Sequence, residues 1–136
     1  MADISTSTIS KPLKAAPDYI FDKKALSTIT TNVTSDAFYP TKTQNAVTLV
    51  VDVTTAIVLT HASSHTIKIE YLYGASYAKS ITLYEKATSG SNVTIPTGEL
   101  LRWVPSAGMF EGDAKIKVTT NSATGVFSIY PIYISR

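Results

Sequence analysis

The sequence predicts an all-β protein, an antiparallel β-sandwich of jelly-roll or immunoglobulin-like topology with an extended N-terminal arm. Three observations support this. From residue 46 onward, apolar and polar residues alternate at period two, the pattern of strands that bury one face. Turn residues interrupt that pattern at intervals of about ten positions, as in sandwiches of short strands. Residues 1–45 are instead dominated by Ser, Thr, Lys and Pro, a composition poor in apolar surface. The division expected is therefore an arm over residues 1–45 and a sandwich domain over residues 46–136.

Within the arm, Lys11-Pro12 and Ala16-Pro17 favour extended chain, because proline fixes its own φ and restricts the residue before it. The stretch PDYIFDKKAL, residues 17–26, fits either one or two helical turns or a docking segment. TITTNVT, residues 28–34, alternates like a strand, and Phe38-Tyr39-Pro40 forms a second apolar group. Tyr19, Ile20, Phe21, Phe38 and Tyr39 are the expected anchors of an arm that clasps a partner surface, with strand addition to the partner's sheet edge satisfying its backbone.

Past residue 46, Val47, Leu49, Val51 and Val53 share one strand face, and Ala56–Thr60 forms the next strand. In residues 65–73, Ile67, Ile69, Tyr71 and Tyr73 oppose Lys68 and Glu70. In residues 80–86, Ile81 and Leu83 point inward by parity, with Thr82, Tyr84 and Lys86 outward. Residues 92–95 and 99–104 flank Pro96-Thr97-Gly98, a hairpin or corner. Ile116 and Val118 alternate with Lys115 and Lys117. The last segment, Val126–Ile134, is apolar on both faces, which places it inside the fold or at an interface. Pro131 has no N–H for a ladder, so a bulge or an edge position is expected there.

Composition narrows the function. A chain of 136 residues is one domain with room for a core. It has no cysteine, so disulfides, thiolate metal sites and a cysteine nucleophile are excluded. Twelve Lys and Arg are scattered among ten Asp and Glu, giving net +2 and no basic stripe to follow a phosphate backbone. No nucleic-acid partner is expected. The most apolar stretch, residues 46–60, is broken by Asp52 and falls short of the ~20 residues that span a bilayer. The start, MADISTSTIS, has no signal-peptide pattern, so synthesis in the cytoplasm is expected.

Chemistry-bearing residues are few. His61 and His65, in THASSHT, have a metal-ligand spacing only on a helix, and their context is strand and Ser/Thr loop. Glu111 and Asp113, in FEGDA, offer two carboxylates where a calcium site takes six or more oxygens. There is no G-x-S-x-G and no glycine-rich phosphate loop. No catalytic residue, cofactor or metal is expected. Tyr77, Tyr84 and Trp103 are the residues a sugar-stacking surface would use, against the plainer reading of strand aromatics that pack. Asn32 and Asn92 open N-x-T patterns that carry no meaning without a secretion signal. The threonines lack the regular T-x-T array of an ice-binding face.

A Ser/Thr-rich arm with spaced prolines, no cysteines, a small sandwich and a strand-rich end (VFSIYPIYISR) together resemble the accessory structural proteins of tailed bacteriophage particles, most closely capsid decoration or cement proteins. The resemblance is one of chain organisation and transfers no residue roles. It implies a non-enzymatic virion protein that forms homo-oligomers, dimers or trimers, and clamps the major capsid protein or another virion protein. The competing expectation is a receptor- or carbohydrate-binding module of a phage tail or fibre.

Overall fold

The computed structural model describes residues 19–29, 31–42, 45–106, 109, 112–122 and 124–134, without the side chains of 41, 42, 45, 46 and 134. Eleven strands are present among them: β1 (Phe21–Ala25), β2 (Asn32–Thr34), β3 (Thr41–Lys42), β4 (Asn45–Thr55), β5 (Ile57–Leu59), β6 (Thr66–Tyr73), β7 (Lys79–Ala87), β8 (Val93–Ile95), β9 (Gly98–Trp103), β10 (Lys115–Thr120) and β11 (Val126–Ile134). One sheet runs β1-β11-β4, with β9 and the short β3 sharing the far side of β4; the other runs β2-β10-β6-β7.

The pairings have a simple rule. β1 pairs with β11, β2 with β10, β4 with β9 and β6 with β7, all antiparallel. The chain is thus one long antiparallel ribbon, outermost strands together and innermost strands together, wrapped until β11 lies on β4 and β10 on β6. That is a jelly roll. The β5–β8 pair continues the β4–β9 ladder, Ile57 opposite Ile95 following Val53 opposite Gly98.

This topology corrects the expected boundary at residue 45. Residues 21–42 contribute β1 to one sheet and β2 to the other, and Phe21, Leu26, Ile29 and Phe38 join the core cluster. Strand β1 leads into a 3-10 turn, Leu26–Thr28, whose Leu26 is fully buried. The segment is polar because β1 and β2 are edge strands, and an edge strand exposes one side of its backbone as well as one face. Residues 1–18 of the expected arm lie outside the described residues.

Between the sheets sits the core, and the strand parities expected from Val47 to Val53 and from Ile67 to Tyr71 are observed there. Aromatic rings fill it: Phe21 meets Phe127 at 5.8 Å within one sheet, Phe38 meets Tyr71 at 6.3 Å beside the other, and Trp103 meets Tyr71 at 4.9 Å between the two. The Tyr71 hydroxyl donates to the carbonyl of Met109 at 3.2 Å. Ser35, buried beside β10, accepts from the Ile116 N–H and donates its own N–H to the Ile116 carbonyl, both at 2.9 Å.

Two expectations of parity change for local reasons. Tyr84 lies opposite Ile69 and Thr82 opposite Glu70, so Leu83 is an extra residue in β7; beyond this bulge the parity flips and Tyr84 turns toward the core. Pro131 sits in the middle of β11, opposite Leu49, rather than in an edge strand. Alternate residues of an antiparallel strand address the same neighbour. The Ile129 carbonyl takes the Ile20 N–H at 2.8 Å, so position 131 also faces the β1 side, beyond the last pairing of β1. The missing N–H interrupts no described ladder bond.

Truncating Phe21 or Leu26 to alanine should cost about 3–4 kcal/mol, as for large core residues, read as a lower urea midpoint at unchanged slope. Residues of a detached arm would leave the midpoint where it is. Gly125 has φ +111°, and a Cβ there would lie 2.6 Å from Ile57 Cγ1 and 2.9 Å from Ile57 Cα. Gly125→Ala should therefore destabilise by about 2 kcal/mol or more and lower the thermal midpoint.

Candidate functional site

The expected anchors divide into buried and exposed. Phe21 and Phe38 are 9% and 5% exposed and pack in the chain's own core, so neither is free to fill a partner's groove. Ile20 packs partly against the same core. Tyr19 and Tyr39 are exposed. Tyr19, Ile20 and the rim of Phe38 line a groove of about 290 Å³ with Asp36 and Ala37. The Tyr39 backbone carbonyl accepts the Tyr133 hydroxyl at 2.7 Å.

The loop candidates serve local structure. His65 Nδ1 accepts the Thr60 N–H at 3.0 Å and closes the turn at residues 61–63, while the His61 N–H is taken by Asn92 Oδ1 at 2.8 Å. Asp113 Oδ2 accepts the Tyr77 hydroxyl at 2.8 Å, and the Lys115 ammonium lies 4.5 Å from the Tyr77 ring centre. Glu111 lies outside the described residues. Among the described residues no three His, Cys, Asp or Glu side chains gather as metal ligands. Tyr77, Tyr84 and Trp103 do not form one sugar-stacking patch. Trp103 stacks on Tyr71 between the sheets, and Tyr84 faces the core from β7.

The informative contrast lies between the two outer faces. On the β2-β10-β6-β7 sheet, Lys68, Glu70, Lys115, Lys117, Thr82 and Glu85 point away from the core, and Lys68 pairs with Glu70 at 3.7 Å. This is the ordinary solvated side of an antiparallel sheet. The outer face of the β1-β11-β4-β9 sheet carries Tyr130 and Ile132 from β11 beside Val50 and Thr48 from β4. Val50 is fully buried, yet it stands outside the core cluster. Tyr130 and Arg102 flank it from the neighbouring strands. The Tyr19 ring meets the Tyr130 ring edge-on at 5.8 Å, and Val104, just past β9, is 52% exposed. Polar residues share this face with them: Arg102 Nε donates to both Glu99 carboxylate oxygens at 2.9 Å, Asp52 lies between Ser128 and Glu99, and Thr48 and Ser128 are themselves buried.

Sequence reading found half of this face. The two-sided apolar pattern of β11 announced it, but Val50 was hidden in the run Leu49-Val50-Val51, where apolar residues at both parities were the available signal.

The sheet edges are bulged or short. The extra residue in β7 is Leu83; β9 carries one at Leu100, and β1 has one between Phe21 and Lys24, where Lys23 has φ 47°. β2, the remaining edge, is three residues long. Bulged or very short edges resist pairing with another chain.

No protein-family model matches the chain. No curated protein matches it either. Among solved structures, a chain from the infectious bursal disease virus Gt strain is similar over 86% of this chain and 29% of its own, at 14% identity and a TM-score of 0.27. A likeness of that size supports no inference about role, and the jelly-roll assignment stands on the strand pairings.

Burial raises the Tyr71 hydroxyl well above its ordinary range, with the nearby Tyr133 and Tyr73 adding to it, and burial raises Tyr133 likewise. Both ionise more readily in the unfolded chain, near pH 10. Their contribution to stability is complete below that pH and is lost as pH rises above it. The thermal midpoint should be flat from pH 7 to about 9 and fall steeply above pH 10. Tyr71→Phe should flatten the alkaline fall, read by scanning calorimetry across that range.

Proposed function

We propose that this chain is a non-enzymatic structural protein of a virus particle, acting as a decoration or cement protein that binds and stabilises the capsid in the virion. The observation that supports this reading is a jelly roll with exposed apolar side chains at one sheet, Tyr19 packed edge-on against Tyr130 and Val104 just past β9. Exposed apolar side chains grouped near one sheet favour a contact surface. Jelly rolls recur in viral shells, in lectins and in cupins, so the fold widens or narrows the choice only by analogy. The partner class proposed is the major capsid protein or another virion protein, with nucleic acid and membrane playing no part. Among the described residues no helix is long and apolar enough to cross a membrane. The competing carbohydrate-binding reading needed Tyr77, Tyr84 and Trp103 on one surface, and they are dispersed.

The test is co-sedimentation of the full chain with purified virus particles and with particles assembled without it. Stoichiometric binding to the depleted particles, with a raised thermal or low-salt disruption threshold, is expected. A chain that is absent from purified particles and leaves their disruption threshold unchanged overturns the reading.

A further inference from the structure

We infer that one end of the sandwich is a tyrosine-held clasp that opens as a single unit: residues 35–40, 74–78 and 113–114 are kept closed by the hydroxyls of Tyr133 and Tyr77 and are released together. The inference goes beyond the role proposed above and does not depend on it.

Three connections meet at this end. Residues 35–40 cross from β2 in one sheet to β3 in the other, residues 74–78 join β6 to β7, and Asp113-Ala114 lead into β10. Past Ser35 the chain leaves β10 at Asp36 and Ala37 and returns at Phe38, whose N–H donates to the Ala114 carbonyl at 2.9 Å while the Ala114 N–H donates to the Phe38 carbonyl at 2.7 Å. The first and third connections share this bridge, so neither leaves its place without freeing the other's bonds. Each is also tied by a phenol: the Tyr133 hydroxyl, from β11, donates to the Tyr39 carbonyl at 2.7 Å, and the Tyr77 hydroxyl donates to Asp113 Oδ2 at 2.8 Å. Tyr71 touches both from β6, its ring against Phe38 and its hydroxyl on the Met109 carbonyl.

Backbone strain opposes these bonds. Ser76 (φ 55°, ψ 24°) and Tyr77 (φ 56°) are consecutive non-glycine residues in the left-handed region. Such residues persist only where their surroundings hold them. Tyr77 has two such contacts, Asp113 on its hydroxyl and the Lys115 ammonium 4.5 Å from its ring centre. Strain favours release and the hydroxyl bonds favour closure, the balance that gives a segment two states. Opening also changes the surface. Phe38 lines the groove of about 290 Å³ beside Tyr19 and Ile20, so its release removes one wall of that groove and uncovers the Tyr71 ring it packs against. The opposite end of the sandwich is held by other bonds, the Ser64 N–H on the His61 carbonyl and the Thr66 N–H on Asn121 Oδ1, and stays closed when the clasp opens.

The experiment is amide hydrogen exchange of the full chain, followed by NMR at low urea, for wild type, Tyr133→Phe and Tyr77→Phe. In wild type the amides of Ser35, Phe38, Tyr77 and Ala114 should share one urea dependence, shallower than that of global unfolding. Each phenylalanine removes one bond of the clasp. Tyr133→Phe should therefore speed exchange of the Tyr77 and Ala78 amides ~10-fold. Tyr77→Phe should do the same to the amides of Ser35 and Val47, which bond the Ile116 and Pro40 carbonyls. The Ser64 and Thr66 amides should keep their wild-type rates. Acceleration confined to the connection whose own tyrosine was changed overturns the inference, as does equal acceleration at Ser64 and Thr66, which marks a general loss of stability. Separate urea dependences among the wild-type amides overturn it by themselves, so the test stands even where a variant does not fold.

Discussion

The structure depends on the pairing of its first described strand with its last. β11 lies between β1 and β4, so the beginning and the end of the described chain are joined through one strand, and every inner pair, β2 with β10, β4 with β9, β6 with β7, is nested inside that closure. Such pairings are far apart in sequence and bring a large loop-closure cost before they return any burial. What offsets that cost is the interior face of β11: Phe127, Ile129 and Tyr133 all enter the common core, and Phe127 takes the edge of Phe21 across the β1 seam.

The wrapped ribbon also explains why the two outer faces differ. Each sheet has one side in the core and one side free, and solvent normally makes the free side polar. The β2-β10-β6-β7 sheet obeys this with lysines, glutamates and threonines. The β1-β11-β4-β9 sheet mixes the two, Val50, Tyr130 and Ile132 standing outward among Thr48, Asp52, Glu99, Arg102 and Ser128. Of the residues that bear ordinary site chemistry, the side chains of His65, Asp113 and Tyr77 are engaged in turn closure and surface pairing, and His61 gives its main-chain N–H to Asn92.

Much of the fold was legible along the chain. Period-two alternation marked the interior residues of β4, β6 and β10, and the Pro96-Thr97-Gly98 turn fell between β8 and β9. Three things were not legible. The parity of Tyr84 depends on the bulge at Leu83, a property of how β7 pairs with β6 rather than of β7 itself. The polar makeup of residues 21–42 suggested an arm, when the segment supplies two edge strands and, in and between them and after β2, Phe21, Leu26, Ile29 and Phe38, which are buried. Of the candidate surface, the two-sided pattern of β11 was readable, while Val50, Arg102 and Val104 became part of it only through register with β11 and β9.

The amino-acid sequence by itself determined the class of the fold and the identity of its interior, because strand periodicity and side-chain hydrophobicity are local properties that any antiparallel sandwich must respect. It also determined that β11 would need cover on two sides. Only the tertiary structure decided between jelly-roll and immunoglobulin-like order, drew residues 21–42 into the domain, and gathered Tyr19, Val50, Val104, Tyr130 and Ile132 onto one face. Those outcomes depend on which strands pair and in what register, and register is settled by the collective burial of both sheets, which no single segment encodes.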